Sequence, residues 1–298
     1  MAIYSPNVPF IRSFNDYNVQ LVFGLLLLGL FFLIIDQFRL LAVSFSCCAM
    51  LCIFLKSASY DTLVFPKPNT SQQLSISQVN MASVNDEYDT LVSRLLAESP
   101  DIISFQEITP IWNQVLNEDF GDLYPYYKNL VRIDPYGLAL YSKIPLESVD
   151  TFHTQHIPHL KCAIRLNGEK IHLISSYITP ALNNPSTQLA KAQLEDVNIQ
   201  IAKCPTPVIA VGDYNMVHWT PEMIEFKERS QLNNSRRESS ANPRDIPYEH
   251  IFFSKEIECV AFKNIEADNY LGITGTYQYK QAESIEDYTL KVSALSHY

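Results

Sequence analysis

Val208-Ile209-Ala210-Val211-Gly212-Asp213-Tyr214-Asn215 is the most informative segment of the chain. Four apolar residues in a row, bounded by a glycine, describe a buried strand that runs straight into a turn. The glycine permits the tight backbone path. The carboxylate and the amide that follow it, two residues apart, point to one side and can accept or donate there. In isolation the same pattern also fits a turn closed by an Asx cap, so its weight depends on what lies around it.

Working outward, Leu74 to Val79 alternates apolar and polar residues as a strand does and ends at Asn80. Tyr88, Leu91, Val92, Leu95 and Leu96 have helical spacing, with Asp86 as the expected N-cap and Pro100 as the stop. Ile102 to Phe105 is the next strand, and it ends in Gln106-Glu107. Further strands are expected at Leu138 to Ser142, Ala163 to Leu166, Ile171 to Tyr177, Val208 to Val211, His250 to Ser254 and Thr274 to Tyr279, with a helix from Gln188 to Ile201. Many strands and few helices favour two packed sheets covered by helices over a doubly wound sheet. In that arrangement Asn80 and Glu107 stand at the same ends of neighbouring strands.

The first part of the chain has another character. Leu21 to Ile35 is uncharged and apolar, and after Asp36-Gln37-Phe38-Arg39 a second apolar run extends from Leu40 to Leu55. Each is shorter than the roughly 20 residues that cross a bilayer upright. A thin two-span hairpin, one long broken span and an uncleaved signal anchor all fit, as does a buried helical hairpin if a large partner surface covers it. The thin basic start and the lack of a small-x-small site argue against a cleaved signal. Arg12, Lys56 and Lys67 on one side of a hairpin, against Arg39 in its turn, favour a cytoplasmic domain. The expected organisation is a membrane anchor over residues 1–56, a Pro-containing linker over 57–72, one domain over 73–282 and a tail over 283–298.

The net charge is -10, with no basic block beyond Arg236-Arg237. Duplex nucleic acid is therefore a poor partner, because counterion release at a basic face supplies most of that affinity. An acidic chain does suit a carboxylate site around a divalent cation. Of the six cysteines, Cys47, Cys48 and Cys52 lie in the apolar run. Cys162, Cys204 and Cys259 have no zinc spacing and read as ordinary buried thiols.

Several segments, taken in order, resemble the endonuclease/exonuclease/phosphatase superfamily. Pro100-Asp101-Ile102-Ile103-Ser104-Phe105-Gln106-Glu107 is similar to its P-D-h-h-x-h-Q-E strand, Leu140-Tyr141-Ser142-Lys143-Ile144-Pro145-Leu146 to its h-x-S-R-x-P-h segment, and Gly212-Asp213-Tyr214-Asn215 to its G-D-F-N. Asn80 falls where the family's first-strand Asn lies. Together the matches cover nearly all of Leu74 to Tyr279. The resemblance implies an α/β fold, a four-layer α/β sandwich of two packed mixed β-sheets flanked by helices, here preceded by the membrane hairpin. It implies Mg2+ or Mn2+ held by Glu107 and Asp268, with Asn80 shaping the metal and phosphate site. It also implies Asp213 orienting or deprotonating water, and Asn215 and Tyr177 holding phosphate oxygens. The reaction would be in-line hydrolysis of a phosphoester.

The pattern is broken at its end. The family's h-D-H-h-h reads here Tyr248-Glu249-His250-Ile251-Phe252, and its final S-D-H reads Ala267-Asp268-Asn269. The resemblance implies that this final His pairs with the acid at the Glu249 position and handles a proton or the phosphate charge. An amide cannot accept a proton near neutral pH, and a lost general acid or base costs roughly 100- to 10,000-fold. His218 and His250 read as structural, since His250 follows Glu249 on a strand and faces away from it. Two functions result. One is a membrane-attached hydrolase acting on a lipid head group or small phosphodiester. The other is a weakened domain that binds a phosphorylated ligand or a protein partner at the membrane.

Overall fold

The computed structural model describes residues 14–58, 64–69, 73–84, 87–205, 207–237, 246–266 and 269–280. The two apolar runs form helices, α1 (Asn18–Ile34) and α2 (Phe38–Ala58), that turn back on each other at Asp36. They pack closely because Gly29 leaves room for the Phe45 ring, which a Cβ there would meet at 2.5 Å. The Ser44 hydroxyl donates to the Leu25 carbonyl at 2.7 Å. The outward faces stay bare, with Leu27 68%, Ile34 79% and Ile53 69% exposed. Among the described residues, Phe38–Lys56 is long and apolar enough to cross a membrane, and Asn18–Ile34 is shorter.

Two six-stranded sheets follow. The first contains β1 (Gln73–Asn80), β2 (Ile102–Gln106), β3 (Tyr126–Leu130), β4 (Leu138–Ser142), β11 (Ile257–Glu266) and β12 (Tyr270–Tyr279) in the order β11-β12-β1-β2-β4-β3. The second contains β5 (Glu147–Thr154), β6 (Ile157–Leu166), β7 (Glu169–Tyr177), β8 (Val208–Asp213), β9 (Asn233–Asn234) and β10 (Glu249–Phe253) in the order β5-β6-β7-β8-β10-β9. At the centre of each lies one parallel pair, β1 with β2 and β7 with β8. Helix α3 (Tyr88–Glu98) connects the first pair and α5 (Asn184–Ala202) the second. Two further helices, α4 (Pro110–Phe120) and α6 (Pro221–Ser230), complete the outer layers.

The unbroken apolar run of β8 now has its reason, since the strand is covered on both faces. Ile209 and Val211 point into the core between the sheets, with Leu74, Ile76, Ile102 and Leu173. Val208 and Ala210 point out under α5 and α6, with Val197, Ile201 and Phe226. On the other sheet Ile103 and Phe105 pack under α3 and α4 with Leu91, Leu95 and Phe120. Burying one such side chain contributes about 2 to 3 kcal/mol, so the four layers are held by these three apolar seams.

The expected strands and helices are all present, several of them longer than the sequence pattern marked, such as β6 and β12. Helices α4 and α6 and strands β3, β5, β9 and β11 went unread. Both helices begin at a Thr-Pro step, Thr109-Pro110 and Thr220-Pro221, a legible start signal. Helix α3 has Glu87, without a side-chain cap bond, at its N-cap position. Asp86, expected there, lies outside the described residues, as does the tail 283–298.

Candidate active site

The carboxyl ends of both parallel pairs converge on one cleft. Asn80 ends β1, Glu107 follows β2, Tyr177 ends β7 and Asp213 ends β8. Polar contacts pin the two sheets together just beneath. Ser104 and Ser175 share a 2.9 Å hydrogen bond, and the Gln106 amide donates to Ser175 at 3.2 Å. Gly212 is required here, because a Cβ would lie 1.8 Å from the Ser176 carbonyl oxygen. The cleft occupies about 360 Å³, and its lining includes Asn80, Ser83, Glu107, Asp213, Asn215, Ile246, Tyr248, Glu249, Asn269 and Tyr270.

Asn80 is the hub. Its Nδ2 donates to Glu107 Oε1 at 3.0 Å and to Asp213 Oδ2 at 2.8 Å, while its Oδ1 accepts from the Ala82 backbone at 2.9 Å. One amide therefore spaces two carboxylates that would otherwise repel. The second Asp213 oxygen accepts from the Asn215 backbone at 2.8 Å, and Asn215 Nδ2 donates to the Ile178 carbonyl at 2.9 Å. Glu107 and Asn215 both hold left-handed φ values, 58° and 50°. Tyr177 is buried behind Glu107 and Asn215, its ring edge-on to Tyr136. Gln193 of α5 secures that strand end, donating to the Tyr177 carbonyl at 2.8 Å and accepting from the Thr179 backbone at 2.9 Å.

The opposite wall differs from the expectation. Glu249 of β10 lies directly across the ladder from Asp213 and is 4% exposed. Its Oε2 accepts not from Asn269 but from the Tyr270 hydroxyl, at 2.7 Å. The Asn269 amide, also on the cleft lining, donates to Glu87 on the other side. Asp268 lies outside the described residues. His250 is turned away from Glu249, bonded to Asn234 at 3.0 Å and to the Met216 carbonyl at 2.8 Å. Burial holds it down to about 3 and holds His218 well below the usual imidazole range. Neither histidine is among the described residues that line the cleft. The part of Tyr270 was missed because the motif assigns its neighbour and strand alternation alone does not say which residue crosses to β10.

Carboxylates accumulate here without a Lys, Arg or His among the described lining residues. Asp213 is pushed up to about 6, first by burial and then by the Glu107 charge, although bonds from Asn80 and Asn215 oppose the rise. Glu249 is pushed up to about 7 by burial and by Asp213, against the Tyr270 bond and the Arg236 charge. No group of three or more His, Cys, Asp or Glu encloses a metal among the described residues. What is present is an oxygen-only set with excess negative charge. That fits a hard cation such as Mg2+ or Mn2+, which keeps several waters and needs only one or two carboxylates.

The chain belongs to the Endonuclease/Exonuclease/phosphatase family, whose family model matches residues 78–278. Among solved structures it is similar to TDP2 from D. rerio complexed with single strand DNA product, at 18% identity and a TM-score of 0.58, over 69% of this chain and 99% of that one. An endonuclease/exonuclease/phosphatase from Beutenbergia cavernae is 16% identical with a TM-score of 0.55, over 71% of this chain and 72% of that one. The human Nocturnin catalytic domain with bound sulfate anion is 14% identical with a TM-score of 0.52, over 70% of this chain and 95% of that one. At these identities the likeness speaks for the fold. No curated protein matches the chain in sequence.

Proposed function

We propose that this protein is a membrane-attached, divalent-metal-dependent phosphoester hydrolase, anchored by residues 1–56 through the linker 57–72 to a catalytic domain over 73–282. The observation that carries the reading is Asn80 bridging Glu107 and Asp213 in an acidic cleft with no Lys, Arg or His among its described lining residues. Glu107, with Asp268, would hold Mg2+ or Mn2+, and Asn80 would set the spacing. The bound ion would supply positive charge to the phosphate oxygens.

Each remaining role belongs to a side chain of this protein. Asp213, raised towards neutrality by burial, is a better base for a water proton than an exposed aspartate. Asn215 and Tyr177 would bind phosphate oxygens once the substrate displaces their present contacts. Glu249, pushed up to about 7, holds a proton near neutral pH and can act as the acid that Asn269 cannot be. The bare faces of α1 and α2 support insertion in a bilayer, and positive-inside counting favours the cytoplasmic side.

The test is the purified full chain in detergent with Mg2+ or Mn2+, acting on bis(p-nitrophenyl) phosphate and p-nitrophenyl phosphate. Turnover that is lost in EDTA, in Glu107→Ala and in Asp213→Ala is the expected result. A second reading, a weakened domain that only binds a phosphorylated ligand, rests on Asn269 standing where the family has histidine. Phosphate binding without turnover, with turnover restored by Asn269→His, would establish it instead.

A further inference from the structure

The acidic cleft and the apolar hairpin share a wall. Val19 near the start of α1 and Phe54 and Leu55 near the end of α2 pack against Val217, Trp219 and Ile224, together with Ile246 and Tyr248. Ile246 and Tyr248 also line the cleft. The Tyr248 hydroxyl donates to Asp16 Oδ2 at 3.0 Å, just ahead of α1. The foot of the hairpin is thus one side chain away from the carboxylates.

That placement sets where the site stands relative to lipid. The two helices run antiparallel, so both of their domain-side ends lie at this foot and the Asp36 turn lies at the far end. At 1.5 Å per residue, the 17 residues of α1 carry the turn about 26 Å away, close to the roughly 30 Å of a hydrocarbon core. Lys56, exposed in the last turn of α2, and the Tyr248 ring are the residue types that settle at head-group level. A hairpin inserted to its foot brings the cleft rim to the bilayer surface.

We propose that the cleft opens at the membrane surface and that its substrate is a phosphoester borne by a bilayer lipid, an inference that rests on the hydrolase and anchor readings above. A lipid head group then reaches Asp213 and Glu107 without leaving its leaflet. The same phosphoester on a soluble molecule has to be captured from bulk water.

Two measurements on the full chain in phosphatidylcholine vesicles test this. The protein has two tryptophans, and Trp112→Phe leaves Trp219, in the foot, as the sole emitter. Lipids brominated near the top of the acyl chains are expected to quench it relative to unbrominated vesicles. In parallel, vesicles bearing phosphatidylinositol phosphates and phosphatidic acid are compared with the deacylated, water-soluble forms of the same head groups. Turnover of the lipid-borne form is expected to be higher by roughly a hundredfold, the low end of what confining two partners to one surface contributes. An unquenched Trp219, or soluble forms turned over as well as the lipids, overturns the inference while hydrolysis of bis(p-nitrophenyl) phosphate leaves the hydrolase standing. Absence of hydrolysis on every substrate overturns both.

Discussion

On one side of the cleft, the ends of β1, β2 and β8 hold Glu107 and Asp213 apart with the single amide of Asn80. On the other, β10 and β12 set Glu249 against a phenol hydroxyl, and Asn269 turns to Glu87. Both walls begin with a buried carboxylate at the end of a strand. The first wall is assembled from the carboxyl ends of parallel strands, and its residues are the ones the family pattern names. The second brings together strands of different sheets, β10 from one and β12 from the other, and there Tyr270 has taken the contact that the pattern assigns to the position before it. A motif therefore locates a wall more securely than it names the atom that works there.

The comparison is sharpened most by removing the first wall's base. Asp213→Ala is expected to lower kcat/KM on a phosphodiester on the order of a thousandfold. A loss under about tenfold would leave that wall without a catalytic part. Next, Glu107→Gln takes away the carboxylate expected to hold the cation. The Mg2+ concentration giving half-maximal turnover should rise about a hundredfold, measured by titration from EDTA-stripped protein.

The second wall can be read through stability. Glu249 has its acid range raised from 4.5 to about 7 in the fold. Its contribution is therefore fully present below about pH 4.5 and is lost as pH rises through about 7. In EDTA, Glu249→Gln should have a lower unfolding free energy than the unmodified protein at pH 5, measured by urea denaturation, and that deficit should shrink or reverse at pH 8, by on the order of 2 kcal/mol. A deficit that does not change with pH would show that this carboxyl keeps its ordinary range.

Tyr270→Phe removes one hydrogen bond to a buried carboxylate and keeps the ring. The expected loss in kcat is about tenfold, with the alkaline limb of the pH profile moving up because the ionised Glu249 loses its donor. The smallest effect belongs to Asn269→His. Since the Asn269 side chain faces Glu87 and not Glu249, turnover should stay within about threefold. A gain of tenfold or more would mean that position 269 reaches the chemistry after all, and would revive the weakened reading.

Much of the scaffold could be read along the chain. Strand β8 was legible because a strand covered on both faces is apolar throughout, and β1 because Leu74 to Ser77 alternates apolar and polar residues. Helix α6 was harder, since its apolar residues are few, and its Thr-Pro start was the clearer mark; α4 carries both that start and the helical spacing of Ile111, Trp112, Val115, Leu116 and Phe120. Strands β3 and β5 lie at the outer edges of their sheets, with largely exposed residues. An edge strand buries too little to leave a hydrophobic pattern.

Which residues end the central strands is written in the amino-acid order alone, because a strand's side-chain pattern and its closing turn occupy a few neighbouring positions. That order also marked two apolar runs ahead of the domain, and the structure made them two helices with bare outward faces. Only the tertiary structure decided that Tyr270 and not Asn269 meets Glu249, and that Asp16 reaches Tyr248 across 232 residues of chain. Those choices depend on the register between strands and on the packing of a helix foot against a loop, and contacts between distant segments leave no periodicity in either segment to read.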